Sequence, residues 1–125
     1  MKSTAFVVFA LLLTFSANAG EEEINQKFCK RVGGKIEHRN SDKTRVDCLL
    51  RAYAVEVDFA SKWYECVGQA LHYSLMTRKT PACALIVESE LDYKKAKRAK
   101  RVVRKFIKGK FKLGCINKRG EDERC

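Results

Sequence analysis

From Tyr53 to Phe59 the chain alternates, with Tyr53, Val55, Val57 and Phe59 facing one way and Ala54, Glu56 and Asp58 the other. A period of two is the mark of a strand, here with one apolar and one acidic face. Thr44–Leu49 alternates as well, and Lys35–Arg39 is short and extended, with the turn cluster Asn40-Ser41-Asp42 between them. Elsewhere the period is helical. Ile24, Phe28 and Val32 predict a helix over Glu22–Val32, which Gly33-Gly34 stops. Trp63, Val67, Ala70, Leu71 and Ser74 form the expected core side of a helix over Ser61–Thr77, broken by Thr80-Pro81. Cys83–Val87 is a continuous apolar run, as in a buried strand. Tyr93–Ile107 reads as a further long helix with the stripe Ala96, Ala99, Val102, Val103, Phe106 and Ile107; Gly109 ends it, and Phe111–Ile116 follows as a last strand.

The resulting order, α-β-β-β-α-β-α-β, predicts a small mixed α/β sheet flanked by helices. Three consecutive strands make an antiparallel meander, and a strand reached through a helical crossover lies parallel in the same sheet.

The two ends are different in kind. Lys2, the apolar run Ala5–Phe15 and the small-x-small site Ala17-Asn18-Ala19 have the layout of a secretory signal peptide over residues 1–19, followed at once by Glu21-Glu22-Glu23. No other segment is apolar for long enough to cross a bilayer. The expected mature chain starts at Gly20 and has about 106 residues, enough for one domain over 20–116, with a loose polar tail at 117–125. The expected location is secreted or periplasmic. All six cysteines lie in this part, and an even number in a small exported domain favours disulfides. There is no Cys-x-x-Cys pair, and neither His38 nor His72 is spaced as a zinc ligand with a cysteine. Six cysteines allow fifteen pairings. Of these, Cys29–Cys48 is expected, tying the first helix to the second strand.

Without Lys2 there remain 25 basic and 15 acidic residues, a charge of +10. The excess is uneven: Lys94 to Lys112 holds eleven Lys or Arg and no acid. Such a field attracts polyanions, and Lys97, Arg101 and Arg104 are its candidate contacts to a nucleic-acid backbone.

The acidic residues suggest chemistry. A tight connection centred on Arg51-Ala52 sets Asp47 directly opposite Glu56, and Asp58 shares the Glu56 face. Like charges across two strands destabilise them unless a cation sits between, and carboxylate oxygens are what Mg²⁺ and Mn²⁺ prefer. Glu37 is a further candidate ligand, or a base that positions water. Lys62, just beyond the third strand, is placed to hold the scissile phosphate. Lys62, Cys66, Gln69 and Tyr73 fall within about sixty degrees on the following helix, expected as a stripe beside the core stripe, with Gln69 and Tyr73 as substrate contacts.

The pattern RVDC, then EVDFASKW and GQALHY, a threonine-rich break and an apolar strand resembles small exported bacterial proteins related to the PD-(D/E)xK nuclease superfamily, over roughly Cys29 to Val87. The resemblance implies a restriction-endonuclease-like core of helix, three strands, helix and strand. It also implies Asp47 and Glu56 as the acidic pair, and a Gln-x-x-x-Tyr element at Gln69 and Tyr73. The superfamily has lysine two residues after the glutamate; here Asp58 occupies that place, leaving Lys62 to supply the charge from the helix.

The first expectation is therefore an exported, metal-dependent nuclease-like protein hydrolysing phosphodiester bonds. Asp47, Glu56 and Lys62 would be its catalytic residues; Asp47, Glu56, Asp58 and Glu37 would be the ligands of Mg²⁺ or Mn²⁺. The alternatives are a catalytically inactive nucleic-acid-binding module on the same fold and a cationic membrane-active protein whose Tyr93–Ile107 helix lies in an interface. A Cys–His nucleophile is set aside, since Cys66 and His72 lie six apart at different angles on one helix.

Overall fold

The computed structural model describes residues 20–125, so the expected leader lies outside the described residues. Residues 20–32 form helix α1. Then come strands β1 (Lys35–Arg39), β2 (Arg45–Leu49) and β3 (Tyr53–Phe59), a single turn at Ala60–Lys62, and helix α2 (Trp63–Thr77). Strand β4 (Thr80–Ile86), helix α3 (Glu90–Phe106), strand β5 (Lys112–Ile116) and the short β6 (Asp122–Glu123) complete the chain. The result is a mixed α/β fold with a six-stranded sheet in the order β1-β2-β3-β4-β5-β6. The β1, β2 and β3 meander is antiparallel, β3, β4 and β5 are parallel, and β6 returns antiparallel.

Helix α1 packs on one face of the sheet and α2 with α3 on the other. On the α1 side Ile24, Phe28 and Cys29 meet Val55, Val57, Ala84 and Ile86. On the other, Trp63, Cys66, Ala70, Ala96 and Ala99 close over Cys83, Leu85 and Cys115. Small residues on α3 let its backbone approach the sheet while the long cationic side chains remain in water. Three disulfides tie the layers: Cys29–Cys48 joins α1 to β2 as expected, Cys66–Cys83 joins α2 to β4, and Cys115–Cys125 joins β5 to the C-terminal residue. Gly34 lies against the first of these, where a β-carbon would collide with both sulfurs. Among the described residues no helix is long and apolar enough to cross a membrane.

Four expectations need correction. Strand β4 starts at Thr80, not Cys83, and so contains Pro81. The Thr80 amide donates toward β3, to Ala52 O at 3.0 Å, so the Pro81 nitrogen faces β5, which begins pairing one residue later at Ala82↔Lys112. No ladder bond is lost there. Helix α3 starts three residues early, because Ser89 and Asp92 form a capping box. Helix α2 is rotated relative to the expected stripe: Trp63, Cys66, Ala70 and Tyr73 are buried, while Leu71 is exposed. The disulfide on Cys66 holds that side against β4. Finally, residues 117–125 are not loose. Gly120, at φ +74°, turns the chain so that Arg31 holds Gly120 O at 2.9 Å and Asp122 Oδ1 at 2.7 Å, and β6 joins the sheet.

Candidate functional site

The β1–β2 ladder skips one pair. Ile36↔Cys48 and His38↔Val46 are in register, but Glu37 and Asp47 between them are not. Glu37 has φ 55°, a left-handed conformation that costs a non-glycine residue energy and marks a place where the surroundings hold it. Strand β2 changes face across this break: Cys48 packs toward α1, whereas Val46 packs with Ala54 and Tyr73 toward α2. Pairing between β2 and β3 likewise stops at Cys48↔Val55.

Beyond that point carboxylates take over the backbone bonds. The Val57 amide donates to Asp47 Oδ2 at 2.8 Å, and the Asp47 amide donates to Glu56 Oε1 at 3.3 Å. Asp47 and Glu56 are therefore brought together where the strands part. Continuing the register sets them opposite each other, as the sequence spacing predicts. Alternation along β3 brings Asp58 to the same side, and both Glu56 (4% exposed) and Asp58 (6%) are buried on this central strand.

All three carboxyl groups are held far above their ordinary range. Burial is the largest cause for each. For Glu56 the charge of Asp47 comes next, and the two interact by a hydrogen bond that favours the proton on Glu56 and the charge on Asp47. For Asp58 the second cause is a hydrogen bond with Glu21, and the Lys62 ammonium opposes the rise. The buried Asp58 Oδ2 has no hydrogen-bond partner among the described residues. Beneath the cluster Tyr73 is pushed up to about 12, first by burial and then by the charges of Glu56 and Asp47.

A cavity of about 310 Å³ opens beside these groups, lined by Glu21, Glu22, Asn25, Glu37, Arg45, Asp47 and Val57. Asn25 Nδ2 donates to Asp47 O at 2.9 Å, and Glu21 Oε1 accepts from the Phe59 amide at 3.4 Å. Glu37 is raised by burial and by Glu22, and lowered by Arg45.

The predicted residues thus separate into groups. The half-buried Asp47 joins the buried Glu56 and Asp58 in one cluster, with Glu37 on the cavity wall. Lys62 sits exposed at the start of α2, near enough to Asp58 to act on it. Gln69 is exposed on α2, but Tyr73 and Cys66 belong to the core, so the four-residue stripe beside the core is not formed. Lys97, Arg101 and Arg104 are exposed on α3, which packs against the Ala60–Lys62 turn. Glu21 was not singled out from the sequence. In the sequence its acidic neighbourhood only follows the expected leader, and it is the docking of α1 that brings it to Asp58.

For a divalent cation the chemistry of the donors is suitable, being all carboxylate oxygen with one buried oxygen unpartnered. Even so, among the described residues no three His, Cys, Asp or Glu side chains are grouped so as to hold a metal ion. Comparison of the whole chain with protein-family models, with curated proteins and with solved structures finds no match.

Proposed function

We propose that this is an exported nuclease-like protein that cleaves phosphodiester bonds with the help of Mg²⁺ or Mn²⁺, on a restriction-endonuclease-like core. The observation that carries the reading is the cluster at the strand break: the half-buried Asp47 with the buried Glu56 and Asp58, all with raised proton affinity and with the Lys62 ammonium acting on Asp58. A core gains nothing from three such groups, since each costs desolvation and repels the others. A cation shared by Asp47 and Glu56, the pair that the strand break brings together, would offset part of that cost. Its chemistry there would be to polarise the phosphoryl group and to offset negative charge as the ester bond breaks.

The rest of the work falls to the chain. Lys62 is exposed at the mouth of the cluster and suits a non-bridging phosphate oxygen. Gln69, about two turns along α2 on the same side as Lys62, supplies a neutral donor to the backbone. Lys97, Arg101 and Arg104 hold the polyanion without reading its sequence. The three disulfides fit an oxidising compartment, secreted or periplasmic.

A specific observation favours a second reading on the same fold, a nucleic-acid-binding module without catalysis: Asp58 stands where the superfamily pattern has lysine. One experiment separates the two. The oxidised protein is incubated with plasmid, single-stranded DNA and RNA in Mg²⁺, Mn²⁺ or EDTA, beside Glu56→Gln. Metal-dependent cleavage that the variant loses by at least about a hundredfold supports the nuclease. Cleavage retained in the variant sinks the site assignment. Binding without cleavage in any metal replaces the first reading with the second.

A further inference from the structure

The face of α2 opposite the core carries apolar residues open to solvent, Tyr64 with one side of its ring stacked on Trp63 at 3.9 Å. Tyr64 is 66% exposed, Leu71 41% and Leu75 77%. With Gly68 they follow one another at intervals of four, three and four residues, which places all four within about 60° of arc on a helix. That spacing is the seam pattern of two helices packed along their length. A β-carbon on Gly68 would meet nothing within 4 Å, so the seam is open to solvent at its middle.

The charge around this seam is also unusual for the chain. Trp63 to Thr77 holds no Lys or Arg, the longest such run among the described residues of a protein with net charge +11, and Glu65 is its one acid. A polyanion finds no cation on this helix, and Gln69, its proposed contact there, lies about 130° round from the seam. A second, equally cationic copy can approach this helix without meeting a basic residue of α2 itself.

We infer that this face pairs with itself: α2 of one copy packs antiparallel against α2 of a second copy about a two-fold axis near Gln69 and Ala70. The antiparallel sense follows from size. It sets Tyr64 against Leu75 of the second copy and Gly68 against Leu71, so that each large side chain meets the space left by a smaller one. A parallel pair would set glycine on glycine and leave a hole. The same two-fold brings Glu65 to the flank where His72 of the second copy lies. His72 Nε2 is held by Asp42 at 2.8 Å, and its Nδ1 has no partner among the described residues, so it donates to that glutamate when the ring carries both protons. The pairing is isologous and therefore closes at two copies. It is independent of the nuclease reading, because neither the carboxylate cluster nor α3 takes part.

Sedimentation equilibrium of the oxidised protein from micromolar to millimolar concentration tests it, with Leu75→Glu as the variant. Leu75 is so exposed that this change leaves thermal melting of the monomer unchanged. The expected result is a concentration-dependent dimer for the native chain and a dissociation constant raised at least about tenfold for Leu75→Glu. Polyanion binding by the monomeric variant through α3 is retained, which separates this test from the test of function. A native chain that stays monomeric across the range overturns the inference, as does a variant that dimerises as tightly as the native chain.

Discussion

Asp47, Glu56 and Asp58 make the protein's response to pH unusual, because their folded-state proton affinities exceed those of the unfolded chain. A group raised in the folded state contributes stability that is fully present below its unfolded pKa and is lost as pH rises through the folded value. Asp47 is raised to about 7, Asp58 to about 8 and Glu56 to about 10. Without divalent cation, the melting temperature is expected to fall steadily from about pH 4 to about pH 10, the window these values span. Glu56→Gln removes the most strongly raised member and should flatten the alkaline half of that fall. Mn²⁺ should raise the melting temperature at pH 8 in the native protein and less in the variant. Thermal melts across pH, in EDTA and in Mn²⁺, check all three, and a melting temperature that rises from pH 5 to 9 in EDTA would contradict the buried cluster. Much of this cluster is legible in the sequence. Alternation along β3 puts Glu56 and Asp58 on one face, and the tight Arg51-Ala52 turn sets Asp47 opposite. The role of Glu21 is not legible, since it depends on how a preceding helix docks, and neither is the left-handed backbone of Glu37.

Among the elements, those with a strong local signal are legible and those fixed by tertiary contact are not. The three-strand meander and the parallel crossovers follow from alternation, turn residues and chain order. Helix α2 misleads because its buried side is chosen by the Cys66–Cys83 bond and by Tyr73 under the acidic cluster, while larger apolar residues at Leu71 and Leu75 face outward. Strand β6 is two residues long, too short for any periodicity, and is fixed by Arg31 and the Cys115–Cys125 bond. Helix α1 matters most to the site, because it carries Glu21 and Asn25 and is tied to β2 by Cys29–Cys48. Closing a loop of this length stabilises by roughly 3 kcal/mol. Replacing both Cys29 and Cys48 with alanine should cost about that much in urea unfolding. It should also raise hydrogen-exchange rates in α1 more than in α3. An equal rise in both helices would show that α1 is not an independently tethered layer.

For the whole molecule, charge is distributed by element. The carboxylates gather at the break between β1, β2 and β3, and the cations line the outer face of α3. Among the described residues none of the Lys or Arg between Lys94 and Lys112 is in an ion pair. The capping box at Ser89 and the buried Ala96, Ala99 and Val103 hold α3 helical despite the mutual repulsion of its outer face. On the proposed function, that repulsion would be relieved when phosphates replace the counterions around it, and the released counterions would make affinity fall with salt. For double-stranded DNA the slope of log affinity against log salt shrinks by about 0.9 for each phosphate contact removed. Replacing Lys97, Arg101 and Arg104 together by alanine should therefore reduce the slope by up to about 2.7. All three side chains are exposed, so the melting temperature should hold. Fluorescence anisotropy with a labelled duplex over a salt series measures the slope directly. An unchanged slope with weaker binding would move the polyanion off α3 and onto other basic positions of the chain, such as Lys62 or the Arg45 side of the cavity. A reduced slope with unchanged metal-dependent cleavage of short substrates would separate holding the strand from cutting it, assigning the first to α3 and the second to the carboxylates of β2 and β3.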